Sequence, residues 1–135
     1  MAEDKPAAAP NEGALLSPLK CQSRLASTPR QQPRYAVTVQ DGAGRNVVLA
    51  DPRATRAAVA LMNFHAVVGG AACHWGGPAA FAEINAAIHG LMFGTEGREW
   101  FEAYNYVNDA GHTENGVYAL RANYGFDGLT YASLR

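Results

Sequence analysis

The chain has 135 residues, 48% hydrophobic and 17% charged, which suits one folded domain and is too short for two of ordinary size. Its formal net charge of −1 excludes the basic surface that would hold nucleic acid or an anionic membrane. The longest apolar stretch, residues 59–73, is broken by Asn63, His65 and a Gly-Gly pair, which excludes a spanning helix. The first residues include acids where a secretory signal has basic residues, and no apolar core follows, so we expect no secretory signal. Cys21 and Cys73 are too few for a disulfide framework, so we expect a reduced, cytoplasmic protein.

The first 50 residues divide into two parts. Residues 1–33 are rich in proline, alanine, serine and glutamine, so we predict a disordered leader. In residues 34–50, alternating apolar residues flank the turn sequence Asp-Gly-Ala-Gly, which predicts a β-hairpin. Because a two-stranded hairpin is marginal alone, it is expected to pack on other elements.

Two helices are predicted next. Asp51 followed by Pro52 predicts a helix start, with the helix running to about Val67 and ending at a Gly-Gly pair. A second helix is predicted to begin at Pro78. Five of its apolar residues fall on one face at helical spacing: Phe81, Ile84, Ile88, Leu91 and Met92.

The last third of the chain predicts a strand at residues 104–107, a tight loop at 108–112 and a third helix from Thr113 to about Tyr124. Thr130 is a candidate cap for a final helix. The predicted buried stripe of the third helix is Val117, Leu120 and Tyr124. The chain therefore predicts an α/β unit most of whose sheet is missing. We expect apolar helix faces to lie uncovered as a result.

Two glycine-containing segments, residues 69–78 and 108–116, each place a histidine before a predicted helix. Glycine lets the backbone approach a ligand closely, and a helix start offers unpaired N–H groups to an anion. His74 and His112 would add hydrogen-bond donors or move a proton there. The spacing leaves two interpretations open: a polar pocket between two helix starts, or capping histidines in loops that never meet.

Other chemistry is poorly supported by the sequence. His65 and His89 lie inside predicted helices and are interpreted as structural. Cys73 and His74 are adjacent, and no second pair has the spacing of zinc ligands. Nothing marks Cys73 as an activated nucleophile, and no phosphate-binding loop of the Walker or dinucleotide type is present.

The order of these segments resembles the transketolase family. Cys-His-Trp-Gly-Gly-Pro at residues 73–78 resembles the family's Ser-Gly-His-Pro-Gly-Ala-Pro loop, and Tyr-Val-Asn-Asp-Ala-Gly-His at residues 106–112 resembles its later strand and loop. Residues 115–126 continue like the helix that follows and its end. The resemblance covers residues 51–135. It implies the N-terminal part of an incomplete thiamine-diphosphate-binding fold, mostly helical here, with the hairpin before it.

The resemblance also implies roles for three residues. His74 would line the substrate channel beside the thiazolium ring of thiamine diphosphate. His112 would lie near the diphosphate and the reacting carbon, with Gly111 admitting close approach. Histidines suit both places, because the cofactor carbanion attacks a ketose carbonyl and produces an alkoxide that needs donors and then a proton acceptor.

The chain departs from the family pattern at several positions. Trp75 replaces the usual proline and Cys73 a glycine, which puts the usual sugar-phosphate substrate in question and favours a specialised branch. The family's magnesium-binding Gly-Asp-Gly segment does not occur; only Asp41-Gly42 and Asp127-Gly128 come near it. No residue is therefore assigned as a metal ligand, and the chain alone is expected to bind thiamine diphosphate weakly or not at all.

These observations predict an N-terminal fragment or split subunit of a transketolase-like enzyme that transfers a two-carbon ketol unit and is inactive alone. Its expected partner is the missing C-terminal portion or a complementary subunit, with homo-oligomers in the complete enzyme and neither nucleic acid nor membrane as partners. Two alternatives remain open. One is a piece of the decarboxylating component of a 2-oxo acid dehydrogenase, and the other is a non-catalytic association module derived from this fold.

Overall fold

The computed structural model describes residue 29 and residues 32–134, except for the side chain of residue 127. Most of the predicted leader, including Cys21, lies outside these residues. A two-stranded antiparallel sheet comes first and helices follow, which agrees with a mixed α/β fragment. Among the described helices, none has both the length and the apolarity needed to cross a membrane.

The predicted hairpin is confirmed. Strands β1 (Ala36–Gln40) and β2 (Asn46–Ala50) pair antiparallel, with the first residue of β1 opposite the last of β2. The carboxylate of Asp41 fixes the turn by accepting from the backbone N–H groups of Ala43 and Arg45, both at 2.9 Å. These bonds and the Arg45 guanidinium, 2.8 Å away, lower the pKa of Asp41.

Helix α1 spans Pro52–Val68 and begins where the sequence predicts. The Asp51 side chain accepts a hydrogen bond of 2.9 Å from the backbone N–H of Arg53, as an N-cap does. The helix ends one residue later than predicted, and Gly70 beyond it takes a positive φ of 78°.

The predicted second helix forms two pieces, α2 (Gly76–Ala80) and α3 (Ala82–Phe93), which meet at Phe81. The buried side of α3 carries mostly small or polar residues: Ala82, Asn85, Ala86, His89 and Met92. The other four members of the predicted apolar face are exposed: Phe81, Ile84, Ile88 and Leu91. Small side chains bring α3 close to β2, where Gly90 approaches Leu49 so closely that a Cβ would overlap the leucine side chain.

The predicted strand at residues 104–107 is wrong. The short helix α4 (Trp100–Ala103) is followed by Tyr104, whose backbone is extended. Residues 104–107 nevertheless pair with no strand among the described residues. An extended segment without a partner forms no ladder of hydrogen bonds, so it stays irregular. Val107 is correspondingly 84% exposed.

Helix α5 (Glu114–Tyr124) follows a 3-10 turn at Gly111–Thr113, and its predicted stripe is buried as expected. Gly125 ends the helix in the left-handed conformation, with φ 62°. Two further 3-10 turns follow: Phe126–Gly128 and Tyr131–Leu134.

Helix α5 is the centre of the packing. One group of buried residues joins it to the hairpin and α3: Ala50, Ala86, Leu120 and Tyr124. A second group joins it to α1: Ala58, Val59 and Ala119. Helix α2 also packs on α5, and Gly77 near the start of α2 lies against Thr113 just before α5, so the two helix starts are close together.

Candidate functional site

The two histidine segments meet, and glycines at both helix starts allow it. A Cβ on Gly77 would lie 2.9 Å from Cγ2 of Thr113 and 3.0 Å from Cδ2 of His112. A Cβ on Gly116 would lie 3.1 Å from Cβ of Pro78. All three distances are shorter than ordinary carbon contacts, so side chains at these two positions would push α2 away from α5.

The convergence places two imidazole rings side by side. The ring centroids of His74 and His112 are 5.7 Å apart, and the rings meet edge to face at 71°. Both side chains are exposed. Of the two arrangements that the sequence leaves open, the structure therefore shows the one in which the loops meet.

Two asparagines hold the backbone of the first histidine. The Asn115 side-chain amide donates to the carbonyl of His74 at 2.6 Å and to the sulfur of Cys73 at 2.9 Å. From α1, Asn63 donates to the same carbonyl at 3.3 Å and to the carbonyl of Val59 at 2.9 Å. The position of His74 is thus fixed by both α1 and α5.

The second histidine is positioned by its neighbour Thr113, which is buried. The Thr113 hydroxyl lies 2.7 Å from the carbonyl of Ala110 and 2.9 Å from Oδ1 of Asn108. These contacts close the turn that carries His112. A Cβ on Gly111 would meet no atom within 4 Å, so packing within the described chain does not require glycine there.

Three residues that hold the two histidine loops are not predicted as site residues from the sequence: Asn115, Asn63 and Thr113. The sequence does mark Asn63, because it is a polar residue that interrupts an apolar stretch. Its side chain donates a hydrogen bond to the backbone of the first histidine loop. For Asn115 and Thr113 there is no such signal, since polar residues are common in the first turn of any helix.

The remaining candidate residues are those next to His74 and the two histidines outside the loops. Trp75, which follows His74 in the sequence, is 45% exposed. Cys73, which precedes it, is a free thiol of intermediate exposure. Across the described residues, no group of three or more histidine, cysteine or acidic side chains is arranged to hold a metal ion. Of the histidines interpreted as structural, His89 is completely buried and His65 is exposed.

The pair offers two exposed imidazoles on a fixed backbone. No hydrogen bond joins either ring to a carboxylate among the described residues, so neither is oriented as a triad histidine would be. Neutral imidazoles can donate to one oxygen and accept a proton from another. The arrangement therefore suits an oxyanion or a proton transfer on a ligand that other groups position.

Comparison with known proteins returns no match, whether to protein-family models, to curated proteins or to solved structures.

The close approach at Gly77 leads to a testable expectation. We expect Gly77→Ala to displace the His112 turn and lower the free energy of unfolding by about 1–3 kcal/mol, because the added methyl group overpacks the contact. Histidine side-chain NMR signals of His74 and His112 should shift with it. The matched control is Gly76→Ala, where a Cβ meets nothing within 4 Å and stability should change by less than about 0.5 kcal/mol. Equal effects of the two substitutions would contradict the packing argument.

Proposed function

We propose that this chain is the N-terminal portion or a split subunit of a transketolase-like enzyme, and that it contributes half of a thiamine-diphosphate site. The observation that carries the proposal is the meeting of His74 and His112, whose rings lie 5.7 Å apart. The family resemblance arose from chain order alone, and it requires these two loops to face one cofactor. A geometry that separated them would have removed its basis.

The described residues fit part of the cofactor. Two exposed imidazoles suit the reacting end, where a carbonyl oxygen becomes an alkoxide. The diphosphate end needs a divalent metal held by oxygen ligands, and the described residues contain no such cluster. The partner chain would supply those ligands.

Thiamine diphosphate, when bound, supplies the carbanion that attacks the ketose carbonyl. The chain's own contribution is positional and electrostatic. In this proposal, His74 and His112 donate hydrogen bonds to the oxygen on which charge develops, and one of them later accepts or returns its proton. Asn115 and Asn63 keep the His74 backbone in place, so the ring can act without rearrangement of the loop.

Cofactor binding by the isolated chain provides one check. We expect calorimetric titration of the chain with thiamine diphosphate and magnesium to give no binding stronger than about millimolar, which corresponds to about −4 kcal/mol. The reason is that the described residues hold no cluster of ligands for the divalent metal that would neutralise the diphosphate. Micromolar affinity for the chain alone would overturn the assignment of the metal site to a partner.

The decisive experiment uses the chain with its partner. The coding DNA immediately downstream should encode a polypeptide with Gly-Asp-Gly and a later asparagine, and co-expression of both should give a complex that transfers a two-carbon ketol unit. In that complex we expect His74→Asn and His112→Asn each to lower kcat/KM by about 100-fold, in the range of general acid-base contributions. His65→Asn, an exposed histidine outside both loops, is the matched control. A complex whose rate is unaffected by all three substitutions would rule out the proposed roles.

A non-catalytic association module is the second candidate, and one observation favours it. The outer side of α3 presents Ile84, Ile88 and Leu91 to solvent, and these large apolar side chains have no cover among the described residues. If the downstream DNA encodes an unrelated protein and the chain still binds a partner through α3, association is the better assignment.

A further inference from the structure

A cavity of about 740 Å³ lies between α1, the 3-10 turn at Tyr131–Leu134 and the residues that precede β1. Its volume is within the range of about 300–1,000 Å³ that small-molecule sites occupy. None of its lining residues belongs to the two histidine loops, so it is separate from the candidate site.

The floor of the cavity is a trough of small side chains. Ala54, Ala57 and Ala58 follow one another at helical spacing on α1, so the helix backbone is covered only by methyl groups. Leu61 extends the trough by one turn, and Leu134 forms part of the opposite wall. A trough of this kind accommodates an unbranched apolar chain, because its floor carries only methyl groups over three consecutive positions of the helix face.

The polar groups around the cavity are basic. Arg34, Arg53 and His65 line it, and none of its described lining residues is acidic. Arg53 is neutralised by Asp51, whose carboxylate lies 2.7 Å from its guanidinium. Arg34 forms no ion pair with any described residue, and its guanidinium lies 5.5 Å from the centroid of the Tyr35 ring. Among the described residues, the Arg34 guanidinium therefore has no carboxylate partner.

A hydroxyl group at the cavity also lacks a partner. The Tyr131 oxygen is buried and forms no hydrogen bond with any described residue. Burial raises the pKa of Tyr131 to about 12, so the phenol keeps its proton at physiological pH and remains a donor. A buried donor without an acceptor is destabilising, and a ligand oxygen within hydrogen-bond distance of the phenol would supply the acceptor.

We propose that this cavity binds a monocarboxylate with an unbranched apolar tail of medium length. The carboxylate lies against Arg34, and the tail occupies the alanine trough toward Leu61. One uncompensated guanidinium matches a single negative charge and the paired oxygens of a carboxylate. A doubly charged phosphate would leave one charge unbalanced, and a neutral lipid would leave Arg34 without a partner.

Three eight-carbon probes with different head groups test the proposal: octanoate, 1-octanol and octylamine. Titration of the full chain is followed by amide chemical shifts in two-dimensional NMR. We expect octanoate to bind at least tenfold more tightly than octanol and octylamine to bind weakest, with shifts centred on Ala57 and Arg34. Equal affinity of octanoate and octanol, or no shifts with octanoate at millimolar concentration, would overturn the proposal.

Substitutions locate the site. Arg34→Gln should weaken octanoate binding about tenfold, whereas Arg98→Gln, at an exposed position outside the cavity, should leave it unchanged. Ala57→Leu should fill the trough and weaken binding at least tenfold; its control is Ala87→Leu, on the exposed side of α3. Circular dichroism establishes that each variant is folded. If Ala57→Leu instead changes the mass in solution and leaves octanoate binding intact, the trough is a surface between copies of the chain and the proposal is wrong.

Discussion

Replacing Asn123 by alanine is expected to lower the free energy of unfolding by about 2–4 kcal/mol. Asn123 is completely buried in α5, and its side-chain amide exchanges two hydrogen bonds with the backbone of Tyr35, at 2.7 and 2.8 Å. Alanine removes both bonds and leaves the N–H of Tyr35 without a partner at a partly buried position. The carbonyl of Tyr35 still accepts from the backbone N–H of Asp51 at 2.9 Å. Alanine also leaves a cavity in the last turn of α5.

The Asn123→Ala substitution should mainly loosen the segment at Tyr35, which leads into strand β1. The backbone carbonyl of Asn123 additionally accepts from the N–H of Arg34 at 2.9 Å, and this bond survives in the alanine variant. Denaturant unfolding gives the stability, and hydrogen exchange shows whether the β1 amides lose protection before those of α5. Asn46→Ala, at an exposed position of β2, is the matched control and should cost less than about 0.5 kcal/mol. Comparable losses at both positions would show that the buried amide does not hold the hairpin.

The elements predicted well are those whose signals are local. The hairpin follows from alternation and a turn that Asp41 closes, and the start of α1 follows from the Asp51-Pro52 pair. Helix α5 follows from a stripe of large residues with polar residues between them. Each of these signals lies within a few residues and needs no knowledge of the partner element.

The elements predicted poorly depend on partners distant in sequence. Residues 104–107 have the composition of a strand but no described strand beside them. Helix α3 is apolar on nearly every side, so periodicity alone does not decide which side is buried. The outcome is set by Gly90 and the small residues on its side, which permit close packing against β2 where large side chains would not.

The candidate site shows the same division. The sequence predicts that His74 and His112 each precede a helix, and this is a local property. Whether the loops meet depends on α2 packing against α5 through Gly77 and Gly116, and no local pattern reports that. Asn115 holds the His74 backbone although the two residues are 41 positions apart. A pattern of neighbouring residues cannot predict such a contact.

A second large effect is expected from acid, through His89. This histidine is completely buried, with Nδ1 donating to the carbonyl of Asn85 at 2.9 Å and Nε2 accepting from Arg121 at 3.4 Å. The rings of Phe93 and Tyr106 enclose it, and no carboxylate faces it among the described residues. Burial, opposed by the Asn85 bond and assisted by the Arg121 charge, lowers the pKa of His89 from 6.5 to about 4.

The direction in which stability changes with pH follows from proton binding by the folded and the unfolded chain. Between pH 6.5 and pH 4 the unfolded chain protonates this histidine and the folded chain does not, so stability is complete above pH 6.5 and falls as the pH is lowered through this window. A pKa shift of about 2.5 units at about 1.4 kcal/mol per unit corresponds to a loss of about 3.5 kcal/mol. Urea unfolding measured from pH 7.5 to pH 4 gives the slope. We expect His89→Gln, although less stable at neutral pH, to lose most of this slope, and His65→Gln to retain it because His65 is exposed. An unchanged slope in the His89 variant would assign the acid sensitivity to other groups, since the comparison depends on the pH dependence and not on the stability at any one pH.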